Sequence, residues 1–145
     1  MKWSQLRQDI QYMAMYNSAP KVLFIHVGSN DIGSVKCSVL RQSFKSDILA
    51  IHELFPSTIL CISAMLPRRD WSRSSIPADK IEKKRKLLNR FLRRQALHFG
   101  GRFVAHEEIK SDTKGFYYED DIHMSDVGND LFIMALRDTL EQLFL

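Results

Sequence analysis

Two runs of this chain are apolar at consecutive positions rather than alternate ones: Lys21-Val22-Leu23-Phe24-Ile25-His26-Val27 and Thr58-Ile59-Leu60-Cys61-Ile62-Ser63-Ala64. A strand with one face in water alternates between apolar and polar residues. A strand that is apolar throughout has to be covered on both faces, which is the condition of a parallel sheet held between layers of helix. No other feature narrows the fold as far.

The segments between these runs have helical period. Trp3, Leu6, Ile10, Met13 and Ala14 recur at steps of three and four, so a helix is expected from Met1 to about Tyr16, stopped by Asn17-Ser18-Ala19-Pro20. A second helix is expected over about 39–54, with Leu40, Phe44, Ile48, Ile51 and Leu54 on one face. A third is expected over 78–98, with Ile81, Leu88, Phe91 and Leu92 inward and Gly100-Gly101 closing it. Arg102-Phe103-Val104-Ala105 reads as a short third strand. Ser125 or Asp126 caps a last helix whose stripe is Val127, Leu131, Met134, Leu136, Leu140 and Leu143.

The order α-β-α-β-α-β-α implies an α/β fold with a parallel, doubly wound sheet and sites at the carboxyl ends of its strands. The run 21–27 reads as an interior strand, which needs a neighbour on each edge. Only a helix precedes it, so a strand belonging on its other side is expected to be missing, and the chain is expected to be truncated.

Composition bounds the function. The 145 residues suffice for one domain with a core, and 45% apolar with 26% charged residues is the balance of a soluble globular protein. No run approaches the ~20 apolar residues of a membrane span. The N-terminus has no apolar core of a signal peptide, and Cys37 and Cys61 make no disulfide framework, so an intracellular location is expected. The net charge of +4 conceals an asymmetry: residues 68–94 hold eleven Lys/Arg against three acids, whereas 104–145 hold ten acids against three bases. Such a basic stretch is usually the solvated face of a helix, but it also fits weak nucleic-acid binding.

Two short clusters carry chemistry. Gly28-Ser29-Asn30-Asp31 follows the first strand, where Gly28 permits a tight turn and Asn30 presents a side-chain amide. Asp120-Asp121-Ile122-His123 precedes the last helix and pairs an acid with an imidazole three residues on. An amide donor and an oriented base are two of the three parts of an acyl-transfer site. Each cluster also has a plainer reading, as a turn and as a solvated acidic loop. The third part, a serine on a nucleophile turn, is absent. Ser29, Ser34 and Ser63 could be named as substitutes, but nothing in the sequence puts any of them beside His123. His26, His52, His98 and His106 lack metal-ligand spacing, and His26 reads as a satisfied interior histidine.

At these residues the chain resembles the SGNH hydrolases, the GDSL-like esterases and lipases. Their Gly-x-Asn-Asp block is matched by Gly28-Ser29-Asn30-Asp31, and their Asp-x-x-His block by Asp120-Asp121-Ile122-His123. Leu66-Pro67-Arg68 and Gly128-Asn129 also resemble members of the family, and among them compact domains encoded in vertebrate retroelements are the nearest in pattern. The resemblance implies a flavodoxin-like three-layer α/β/α fold whose first strand or strands are missing, so that 1–145 forms a single partial SGNH-type domain. It implies cleavage of small carboxylic or acetyl esters through an acyl-serine, without cofactor or metal. Asn30 would be the oxyanion donor, His123 the general base and Asp120 its partner. The Gly-Asp-Ser block that carries the nucleophile, and the block that carries a second oxyanion donor, are both lacking, so the chain as written is expected to be inactive or feeble. The alternative is a non-catalytic remnant acting as an interaction or nucleic-acid-associated module through residues 68–94.

Overall fold

A computed structural model describes residues 1–145. The elements are α1 (Trp3–Tyr16), β1 (Val22–Ile25), α2 (Cys37–Leu54), β2 (Ile59–Ser63), α3 (Ala78–His98), β3 (Arg102–Val104), a single 3-10 turn (Lys114–Phe116) and α4 (Asp126–Phe144). The element order expected from the sequence is the order observed, and only the 3-10 turn is an addition.

The three strands form one parallel sheet in the order β1-β2-β3, with Leu23 opposite Leu60 and Ile25 opposite Ile62. Parallel neighbours need a crossover, and α2 and α3 supply the two crossovers. Alternation along each strand sorts its side chains between two layers. Ile25, Leu60 and Ile62 join a core of 17 buried residues with Trp3, Leu6 and Ile10 of α1, Phe44, Ile48 and Ile51 of α2, and Ile81, Leu88 and Leu92 of α3. Trp3 lies against Phe44 with ring centroids 4.3 Å apart, and the indole N–H of Trp3 donates to Asp47. The opposite face of the sheet carries His26 and Ser63 and is overlain by Phe132 of α4. The result is a three-layer α/β/α arrangement with α1, α2 and α3 on one side and α4 on the other.

One edge of β1 pairs with β2 and the other has no partner among these residues, as expected for an interior-type strand whose second neighbour is missing. One expectation is corrected here. The expected stripe of α4 is largely uncovered. Val127 and Met134 are exposed, Leu140 is at the margin, and Gly128 is the sole buried residue of the helix. On α1, Met13 is likewise exposed, and on α2 so is Leu54. The three-helix layer follows the sequence periodicity; the α4 layer has less sheet to pack on.

The face beneath α4 is polar at one point. Ser63 Oγ lies 2.6 Å from His106 Nε2 and 2.9 Å from His26 Nδ1, and the His106 ring stacks on Phe132 at 4.5 Å. His106 Nδ1 is buried without a partner. A buried bare acceptor costs less than a buried orphan N–H. The His106 proton therefore sits on Nε2 and is donated to Ser63, whose hydroxyl in turn donates to His26. His26 is thus satisfied, as the sequence implied, but it lies at an open edge and not in the interior.

Candidate functional site

Both sequence clusters lie at the carboxyl end of the sheet, in the loops after β1 and before α4, and they line one cleft of roughly 690 Å³. The loop after β2 forms the third wall.

The turn after β1 begins at Gly28, whose φ of +123° is open to glycine and strained for other residues. A Cβ there would also stand 3.0 Å from Met65 Sδ. The turn closes through the Asp31 N–H, which donates to the Gly28 carbonyl at 3.0 Å. Asp31 is buried, and its carboxylate accepts the Trp3 N–H at 2.8 Å. A carboxylate at a helix N-terminus satisfies an otherwise unpaired donor and faces the positive end of the helix dipole. Asp31 thereby ties the turn to α1, which is a structural task.

That anchoring leaves Asn30 exposed on the cleft side. Its Oδ1 accepts from Arg68 Nη2 at 2.7 Å, and its Nδ2 donates to the Met1 carbonyl at 3.3 Å. Arginine has only donors, so the amide orientation is determined by its neighbours: oxygen toward Arg68, nitrogen away from it.

The second cluster is a tight loop between the 3-10 turn and α4. Asp120 Oδ1 accepts the backbone N–H groups of Ile122 and His123 at 2.9 and 3.0 Å, while Oδ2 lies 2.5 Å from His123 Nδ1. The bond from His123, then those two N–H groups, hold the Asp120 carboxyl down to about 2. Asp120 is therefore ionised across the whole range in which an imidazole titrates, and the proton of neutral His123 is held on Nδ1. Nε2 then carries the lone pair, and the His123 side chain is 74% exposed with no protein partner at that atom.

The loop is clamped to the one after β2. Asp121, at φ +57°, accepts from the Arg69 and Asp70 N–H groups through its carbonyl and pairs its carboxylate with Arg69 Nε at 3.0 Å. Tyr117 is buried and donates its hydroxyl to the Pro67 carbonyl at 2.8 Å; burial pushes its pKa up to about 12. Ser125 caps α4 by accepting the Gly128 N–H. At Gly128 a Cβ would come 2.3 Å from the Phe116 carbonyl, so the close approach of helix and 3-10 turn requires glycine.

The geometry thus brings Asn30 and His123 to one cleft, with Asp120 bonded to His123 behind it, but adds no serine to His123. Ser63 is buried and engaged by two histidines, Ser34 turns back on the Asp31 carbonyl, and Ser29 lines the cleft without bonding His123. Sequence reasoning missed two cleft residues: Arg68, which holds Asn30, and Trp71, whose ring lies 5.0 Å under the Arg68 guanidinium. Their position in the loop beyond a parallel strand was the available signal. Of the basic residues in 68–94, several have structural partners: Arg69 on Asp121, Arg85 on Glu82 and the Met65 carbonyl, and Lys84 on the Val35 carbonyl.

No protein-family model matches the sequence, and no curated protein matches it either. Solved structures do. An acylhydrolase from Bacteroides fragilis superposes with a TM-score of 0.78 at 17% identity, over 99% of this chain and 71% of that one. A GDSL-like lipase from Bacteroides thetaiotaomicron gives 0.74 at 18% identity, over 99% and 73%. An SGNH hydrolase from Slackia heliotrinireducens gives 0.72 at 14% identity, over 97% and 79%. At these identities the agreement establishes the fold. No helix of the chain is long and apolar enough to cross a membrane.

Proposed function

We propose that, on the fold it shares with SGNH and GDSL-like hydrolases, this chain carries the base and one oxyanion donor of an ester-hydrolysing site and lacks the nucleophile. The observation that carries the reading is the His123–Asp120 contact of 2.5 Å in the same cleft as the Arg68-oriented amide of Asn30. His123 Nε2 would take the proton of an attacking serine and return it to the leaving alcohol. Asp120 would stabilise the imidazolium formed between those two steps. Asn30 Nδ2 would donate to the oxyanion of the tetrahedral intermediate, a contact typically worth about 3–4 kcal/mol. Small carboxylic or acetyl esters are the substrate class, and neither metal nor cofactor enters the scheme. Residues 1–145 would form a single partial domain of this type.

Without a serine beside His123, the chain alone should hydrolyse esters no faster than a comparable exposed imidazole. The test is release of nitrophenol from a nitrophenyl acetate by purified, monodisperse protein, with His123→Ala alongside. Slow rates are expected from both, the variant lower by no more than the share of one exposed imidazole. Robust turnover that His123→Ala abolishes would mean that a nucleophile is present within these residues and would overturn the reading.

A further inference from the structure

The loop after β2 carries three arginines, and they are used differently. Arg69 is paired with Asp121. Arg68 and Arg73 line the cleft, and neither makes a salt bridge. Arg68 is half-buried, with its guanidinium plane over Trp71. Of its five N–H donors, one is used, to Asn30 Oδ1. Burial lowers its pKa, and the nearby Asp120 charge partly offsets that effect. The carboxylate of Asp120 is itself committed to His123 and two backbone N–H groups. Asp70, the other carboxylate lining the cleft, is turned to the Ser72 N–H.

A half-buried cation with a covered face, free edge donors and no carboxylate in direct contact is a receptor for a planar or tetrahedral oxyanion, which can take two parallel hydrogen bonds from the fork. The structure assigns to Arg68, with Arg73 at the rim, the binding of an anionic oxygen group, a carboxylate or phosphate borne by the molecule that occupies this cleft. This inference rests on the hydrolase reading for the position of the scissile bond, and it narrows the substrate class to acidic esters. A neutral Gln at position 68 could still hold the Asn30 amide, but it could not offer the charge or the fork.

The test is binding, read by nitrogen–proton NMR from the Trp71 indole and Asn30 side-chain amide signals. The probes are propionate, inorganic phosphate and the neutral isostere propionamide. Saturable shifts of both signals are expected with propionate or phosphate at millimolar concentrations, and none with propionamide. Arg68→Gln should weaken anion binding at least tenfold, Arg68→Lys should weaken it less, and Arg93→Gln on exposed α3 should leave it unchanged. Shifts that are equal for propionamide, equal in Arg68→Gln, or non-saturating would overturn the assignment. Hydrolysis plays no part in this readout. Failure here thus leaves the base and oxyanion donor untouched, whereas a failed hydrolase reading would leave the anion titration intact.

Discussion

His106 is the residue at which acid should be felt first. Burial, then the nearby His26 charge, lower its pKa from 6.5 to about 4. The unfolded chain, with its imidazole near 6.5, takes up a proton before the folded chain does. The contribution of neutral His106 to stability is therefore whole above pH 6.5, is lost as the pH falls toward 4, and changes no further below that. At about 1.4 kcal/mol for each pH unit, the gap is worth about 3 kcal/mol. The structural reason is that protonation would place a second N–H at Nδ1, a buried atom with no acceptor. The perturbation is His106→Asn, because asparagine tolerates the left-handed backbone (φ +53°) found there and does not titrate. The assay is urea unfolding at pH 7, 6, 5 and 4. The variant loses the Phe132 stack and the Ser63 bond, so it starts less stable; the readout is the slope. Wild type should lose about 3 kcal/mol more than the variant between pH 7 and pH 4. Parallel pH profiles would refute the reasoning.

Asp31→Ala should cost about 1 kcal/mol, because the Trp3 N–H at the start of α1 loses its acceptor, and Asp31→Asn should recover most of it; chemical denaturation of the three proteins measures both. Gly28→Ala should cost about 1–3 kcal/mol by forcing a Cβ onto a φ of +123° against Met65, read as a lowered urea midpoint.

The three-helix layer was legible because its signals are local. The consecutive apolar runs at β1 and β2 required cover on both faces, and Leu40, Phe44, Ile48 and Ile51 fall on one helical face whatever packs there. The open edge of β1 was legible too: an apolar run preceded only by a helix called for a neighbour that these residues do not supply, and β1 pairs on one side only. The stripe on α4 has correct helical period, but period cannot report that there is too little sheet beneath to cover Val127 and Met134. At the site, spacing alone placed Asp120 three residues from His123 across a turn. Nothing in the sequence links Asn30 to Arg68, 38 residues away, because that contact depends on two loops being brought together by the parallel pairing of β1 with β2. The hydroxyl relay from His106 through Ser63 to His26 is similarly non-local. It joins three residues that carry no spacing rule.

The most direct test of the base and oxyanion assignments is to supply the missing part. A designed strand ending in Gly-Asp-Ser, with a helix after it, would be fused ahead of residue 1, and nitrophenyl acetate hydrolysis measured on the folded fusion. The account predicts turnover that is absent from residues 1–145 alone, that His123→Ala abolishes, and that Asn30→Ala lowers by about 100- to 1,000-fold. A folded fusion whose serine reacts at the same rate with or without His123 and Asn30 would contradict it.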